Sequence, residues 1–379
     1  MKRLSLKLSP ELINIIIAFI VVTIITIYFY FVKFDGNITG FFRIGSILQL
    51  SPYLNPNNTI IYQGEIGYDG QQFLSLAFDP FLQNPETINS LDHPIYRYRR
   101  ILYPLISYLF SFGNQALIPY VMVGVNYLSI IIIVWIISLY FKSDKTFQWQ
   151  SLLTLCIPGV WMVLSLGTAD LLSSLFLILA FYGYRWDKPI VTGVAISLAC
   201  LTRETLILMG LALILASIWQ RKHKYIKPLL FSLLPPLLWT GYINLLNLPG
   251  KIRVKDNFGY PFVGIFNKFI SLITGGINAK NIFEAYMFIL LLTILISIFF
   301  IVKNRCNYNL IYKLSGIFYS AMFIFSSMTI LGYYLDYSRV FMDVYFILLL
   351  TYNENHIPWK TGLISTSALG NLAFLVLHS

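Results

Sequence analysis

Long uninterrupted runs of apolar residues, not short alternations, dominate this chain. The first, Leu12 to Val32, holds 21 residues without a charge. About 20 helical residues cross a bilayer core, so this run predicts a membrane-spanning helix. A polar stretch rich in Asn, Pro, Gly and Tyr follows, over 33–100. Apolar segments then resume at about 117–141, 148–166, 168–186, 189–203, 204–220, 226–247, 282–302, 311–332, 337–352 and 359–377. The run Ile101 to Phe112 has only 12 residues. That is too short to cross, and it predicts a re-entrant or interfacial helix.

The pattern predicts an all-α fold, a polytopic transmembrane helical bundle of about eleven spans. It reads as one integral membrane domain over 1–379, with a first span in 1–32, a large extracytoplasmic loop with interfacial helices over 33–116, and a bundle over 117–379. Basic residues favour the inner side of a membrane. Lys2, Arg3 and Lys7 precede the first run and place the N-terminus inside. A cleavable signal peptide has a shorter apolar core and a small-residue cleavage site, so the run reads as an uncleaved anchor. Lys142 with Lys145, the group Arg221, Lys222, Lys224 and Lys227, and Lys303 with Arg305 mark three inner loops. Four apolar segments separate the first two marks and return the chain to one side, which also puts Arg185 and Lys188 inside. The loops 33–100 and 248–281 then lie outside. A crossing by Ile101–Phe112 would invert every assignment before the next mark.

Composition narrows the class. The chain is 57% hydrophobic and 11% charged, with a mean hydropathy of +0.71. Soluble domains carry roughly 25% charged residues, so these charges cannot cover a globule in water. The net charge of +11 falls mainly in short segments between apolar runs, which accounts for it by topology and excludes a nucleic-acid partner. Cys156 and Cys200 sit in apolar segments and Cys306 in a basic loop. Three cysteines so placed predict free thiols and no metal cluster.

Charge at membrane depth costs at least about 2.5 kcal/mol per group, so the remaining charges belong at an interface. With this topology, Glu65, Asp69, Asp79, Asp92, His93, Arg97, Arg99 and Arg100 meet at the outer face with Thr168, Asp170, Arg203, Glu204, Asp336 and Arg339. Any one of them is accounted for as a helix end: Asp170 as a cap, Arg203–Glu204 as a local ion pair. Convergence from four separate parts of the chain points to a site. Tyr96-Arg97-Tyr98-Arg99-Arg100 lies outside against the positive-inside bias. It fits either non-specific contact with anionic headgroups or a lipid-linked phosphate gripped by guanidinium forks. In Gly67-Tyr68-Asp69-Gly70-Gln71-Gln72-Phe73, a carboxylate between glycines reads as an Asp-Gly turn or as an exposed base. The residues after it fit a short amphipathic helix lying on the membrane.

These residues resemble the GT-C class of polytopic glycosyltransferases, above all bacterial cell-surface glycopolymer proteins and, more distantly, the GPI-anchor mannosyltransferases. The likeness is carried by Tyr68-Asp69-Gly70-Gln71, Tyr96-Arg97-Tyr98-Arg99-Arg100-Ile101-Leu102-Tyr103-Pro104, Thr168-Ala169-Asp170, Leu201-Thr202-Arg203-Glu204-Thr205 and Tyr337-Ser338-Arg339. It covers most of residues 1–220. The mannosyltransferases usually carry Trp where Tyr68 stands. Many members have two adjacent acids in this loop, whereas here Glu65 is four residues from Asp69.

The resemblance implies inverting transfer of a sugar from a polyprenyl-phosphate donor to a cell-surface glycan or lipid acceptor. The active site would face outward from a bacterial inner membrane, among membrane lipids. Asp69, with Glu65 as the other candidate, would be the general base. Arg97, Arg99 and Arg100, helped by Arg203 and Arg339, would stabilise the leaving phosphate. Asp170 and Glu204 would orient sugar hydroxyls, and Tyr68 and Gln71 would bind substrate. The resemblance implies no definite cofactor and leaves room for a divalent cation. Three other readings stay open: a transporter or flippase of a lipid-linked glycan, an O-antigen polymerase or ligase, and a non-catalytic scaffold. Asp343 and Pro235-Pro236 are the features a transporter would use.

Overall fold

A computed structural model describes residues 9–142, 149–249, 254–303, 309–351 and 358–377. Lys2, Arg3, Lys7, Lys145, Arg305 and Cys306 lie outside the described residues. The fold is 75% helical. Ile44–Gly45 pairs in parallel with Ile61–Tyr62 as a two-residue ladder. Among the described residues, four helices are long and apolar enough to cross a membrane: Pro10–Lys33, Ile118–Tyr140, His223–Leu245 and Ala279–Lys303. This make-up is compatible with an integral membrane protein.

Other expected spans are shorter or broken, with local causes. The segment 148–166 divides into a 3-10 turn, Gln150–Cys156, and a helix, Pro158–Leu166. Pro158 has no amide hydrogen to continue the preceding turn, so it opens a new helix instead. His223–Leu245 breaks between Phe231 and Leu234. There the rings of Pro235 and Pro236 would strike the carbonyls one turn back. The segment 337–352 becomes Tyr334–Val340 and Met342–Leu350, hinged at Phe341. The expected outer loop 248–281 contains a helix, Val263–Thr274.

The first two long helices run antiparallel. Glu11 faces Lys142 at 3.8 Å, Asn14 donates to Ser138 Oγ at 3.2 Å and Ser151 Oγ at 3.0 Å, and Thr23 bonds Tyr127 at 2.7 Å. The chain between them therefore leaves and re-enters the bundle at the same end. The helix Leu102–Phe110, nine residues long and about 14 Å at 1.5 Å per residue, lies in this connection and packs on Asp69–Phe78 and Ile118–Tyr140. The basic marks gather at the opposite end. Lys224 pairs with Asp187, and Tyr225 Oη donates to the same carboxylate at 3.1 Å. The Arg185 guanidinium lies 4.0 Å from the Tyr140 ring.

The helix Asp69–Phe78 departs from the sequence reading. Instead of lying on a membrane with one face exposed, all nine residues after Asp69 are buried. It packs beneath Leu102–Phe110 and against Ile118–Tyr140. Gly70 is required there: a Cβ would stand 2.0 Å from the Leu166 carbonyl oxygen. An amphipathic pattern tells which face is most apolar; tertiary packing covered the other one as well.

A buried ion pair fixes the segment that carries Asp336 and Arg339. Lys268 Nζ lies 2.5 Å from Glu284 Oε1 and donates to the Gly332 carbonyl at 3.0 Å. Glu284 Oε2 accepts from the Tyr334 amide at 3.1 Å. Removing one partner strands a buried charge, which typically costs about 3–5 kcal/mol. Lys268→Ala is expected to lower the thermal midpoint of the purified protein by several degrees. A midpoint within about 1 °C of the parent would show that the pair contributes nothing to the fold.

Candidate functional site

Asp69 opens its helix, where exposed backbone amides favour a negative charge. Gly67, at φ +88°, brings the chain in; a Cβ there would collide with the Gln71 side chain and the Gly45 backbone. Two guanidiniums then clasp the carboxylate. Arg97 Nη1 is 2.5 Å from Oδ1, and Arg339 Nη1 is 2.6 Å from Oδ2. Burial disfavours the charged form of Asp69, but Arg339 and Arg97 outweigh it and hold the carboxyl well below the usual carboxylate range.

Each arginine is itself oriented by a carboxylate. Asp92 takes Arg97 Nε and Nη2, both at 2.8 Å. Glu204 takes Arg100 Nε and Nη2, also at 2.8 Å. The Tyr96 ring lies 5.3 Å from the Arg97 guanidinium and 4.6 Å from that of Arg100. Arg203 is more loosely held: Nη1 is 3.4 Å from Asp170 and 3.9 Å from Asp343, and Nη2 donates to the Val340 carbonyl at 3.0 Å. Arg339 Nη1 also reaches Asp170 at 3.3 Å, its guanidinium lies 4.8 Å from the Tyr68 ring, and its buried Nε has no partner. Tyr68 Oη donates to Asp336 Oδ1 at 2.5 Å. Burial pushes the Asp336 carboxyl above its ordinary value, with Arg339 opposing.

These groups surround a cavity of about 310 Å³ whose walls include Asp69, Arg100, Asp170, Arg203, Asp336 and Arg339. The cavity also meets Asn257, Phe258, Thr329 and Ile330. The convergence inferred from sequence is thus a physical contact between the first loop, the 168–170 turn, the 203–204 turn and the Tyr334–Val340 helix.

Three expected site residues stand elsewhere. Glu65 forms a two-bonded pair with Arg43, at 2.9 and 3.0 Å, on a neighbouring cavity. Gln71 Oε1 accepts from the Gly45 amide at 2.9 Å, a bond that ties the loop to the helix. Arg99 does not line the Asp69 cavity. The turn after the Pro94–Tyr98 helix, closed by the Arg100 amide on the Arg97 carbonyl at 3.1 Å, carries Arg97 and Arg100 to the cavity and leaves Arg99 off it. Asp343, the acid a transporter would use, does not line this cavity. It is fully buried, takes hydrogen bonds from Ser174 at 2.5 Å and Tyr319 at 2.6 Å, and faces Arg203. Asp92 and Asp336 were visible as outer-face charges, but nothing in the sequence marked them as partners of Arg97 and Tyr68. Among the described residues no group of three or more His, Cys, Asp and Glu side chains is placed to hold a metal ion. Cys156 and Cys200 are free thiols.

Comparison with protein-family models, curated proteins and solved structures found no match.

Proposed function

We propose that this chain is a glycosyltransferase that moves a sugar, with inversion, from a polyprenyl-phosphate donor to a glycan or lipid acceptor. The carrying observation is the Asp69 cavity, where Asp69, Arg203 and Arg339 face one space from three distant parts of the chain. Carboxylates paired with guanidiniums suit a ligand of many hydroxyls and one phosphate better than a free polyanion. In the reaction the acceptor oxygen bonds to the anomeric carbon, its proton passes to Asp69, and the sugar–phosphate bond breaks with its electron pair going to phosphate. The proton becomes acidic only as the new bond forms, so a weakly basic carboxylate serves. Arg339 and Arg203 have donors to spare and would receive the charge on phosphate. Arg97 and Arg100, both committed to carboxylates, act as positioning residues, and Asp170 and Glu204 as partners for hydroxyls. A divalent cation is not needed for this charge balance.

The same reading takes the bundle as about eleven spans with the N-terminus inside and the Asp69 end outside, in a bacterial inner membrane. Asn57 is exposed at that end. In a background lacking the native thiols, Asn57→Cys should react in intact cells with an impermeant maleimide; protection until the cells are opened would reverse the orientation. The function is tested in membranes containing or lacking the chain, given a set of synthetic polyprenyl-phosphate sugars. Transfer should depend on the chain, and no chain-dependent product from any of the donors would end the proposal. The transporter reading is weakened by the binding of Asp343 to Ser174 and Tyr319 within the core.

A further inference from the structure

A second cavity, of about 520 Å³, lies beside the first, lined by Lys33, Arg43, Tyr62, Glu65, Lys280 and Tyr333 among others. Tyr68 links their linings: its amide donates to the Arg43 carbonyl at 3.1 Å, while its side chain turns to Asp336 of the Asp69 cavity. Their charges differ. In the Asp69 cavity every arginine faces carboxylates. Here Lys33, Arg43 and Lys280 face one carboxylate, Glu65, which Arg43 already holds.

Lys33 ends the first long helix, and its ammonium has no acceptor among the described residues. It lies instead 5.3, 5.7 and 5.2 Å from the rings of Phe29, Phe34 and Phe374. It is also close enough to Arg43 for the two to repel. Lys280 stands in the first turn of Ala279–Lys303, 6.0 Å from the Tyr333 ring. Cations gathered around a half-enclosed space, two of them without a carboxylate, form an arrangement that an anion stabilises. Its position names the source of that anion. Lys33 and Lys280 each sit at the end of a helix able to cross a membrane, beside bare apolar side chains: Phe31 and Val32, each 64% exposed, and Ile282, 58% exposed.

We propose that this cavity binds a phosphate monoester group, the headgroup of a membrane lipid whose chain lies along Phe31, Val32 and Ile282. The three cations less one carboxylate match the charge of a phosphate dianion. Lys33 and Lys280 supply the free donors, and Arg43, anchored by Glu65, supplies the third positive wall. The inference does not depend on sugar transfer.

The test uses the full chain in nanodiscs, with native mass spectrometry to count phosphatidate retained per protein against phosphatidylcholine. The parent should keep phosphatidate preferentially. Lys33→Gln/Lys280→Gln should weaken retention about tenfold, the loss expected for a charge-assisted contact. Lys280→Gln alone, at an exposed side chain, should weaken it in part and guards against a folding defect in the double variant. Lys222→Gln/Lys224→Gln removes the same charge at the other end of the bundle and should change nothing. Displacement by excess inorganic phosphate would mark a site for the phosphate group alone, and retention in its presence a site that also needs the lipid chain. Equal retention of phosphatidylcholine, an equal loss in the control pair, or full retention in the Lys280 and double variants would each overturn the proposal.

Discussion

Asp69→Asn is expected to lower sugar transfer by about 10²–10⁴-fold, the range for losing a positioned general base. Asn fills the same volume but cannot take the proton, and it keeps one neutral acceptor oxygen for Arg97 or Arg339 while turning an NH2 donor toward the other guanidinium. Those guanidiniums are 2.5 and 2.6 Å from the carboxylate, so the substitution also strands buried charge at a cost of about 3–5 kcal/mol. A stability loss alone would lower activity through the amount of folded protein. Activity must therefore be normalised to folded chain, measured by thermal unfolding in detergent. Near-parental transfer per folded molecule would remove Asp69 as the base.

The pH profile separates Asp69 from Asp336, a second carboxylate on the cavity. The Asp69 carboxyl is held well below its usual range, so a rate that depends on it should stay flat as the pH falls toward about 4. The Asp336 carboxyl is raised, so a rate depending on its charged form should begin to fall at higher pH. Asp336→Asn should leave the profile flat if Asp69 is the base and abolish transfer if Asp336 is. Stability follows the same signs. The depressed Asp69 contributes above the ordinary Asp value of about 3.9 and loses that contribution as the pH falls through its folded value. Asp336 contributes below that ordinary value and loses its contribution as the pH rises through its own raised value.

The sequence made some of this legible because lipid leaves polar groups few places to go. Charges at the ends of apolar runs must reach an interface, and that alone brought Asp69, Asp170, Arg203 and Arg339 to one face. The short run after Arg100 forms a nine-residue helix, Leu102–Phe110, shorter than a bilayer core requires. Pairings were not legible. Arg100 meets Glu204 across 104 positions of chain, and Arg203, beside that same Glu204 in sequence, faces Asp170 and Asp343 instead. A local pattern cannot tell which carboxylate a guanidinium will find, because the choice depends on how separate helices pack. Glu65 shows the same limit: its nearness to Asp69 in sequence put the two in one site, whereas Arg43, 22 positions away, holds it on the neighbouring cavity. The Val263–Thr274 helix and its buried Lys268 were hidden for a related reason. Loop 248–281 reads as polar until Glu284 is seen to neutralise the lysine.

Arg339→Lys is expected to be nearly as damaging as loss of Asp69, although it conserves charge. Arg339 touches Asp69, Asp170 and Asp336 together, at 2.6, 3.3 and 3.6 Å, while its flat face lies on Tyr68. A lysine ammonium is a single point with no planar face and cannot satisfy that set. It also lacks the buried, unpartnered Nε that remains to meet a phosphate oxygen. Losing one preorganised donor to developing charge costs about 10²–10³-fold in kcat. If Arg339 stabilises the leaving phosphate, the loss should fall on kcat, with KM for the lipid donor changed little. A merely structural role predicts a lower thermal midpoint with unaltered kcat per folded molecule. Arg99→Lys supplies the contrast: Arg99 lies outside the Asp69 cavity, so that variant should keep parental kcat. An equal loss in both variants would mean that the arginine cluster acts by bulk charge, and that the geometry around Arg339 is not what drives transfer.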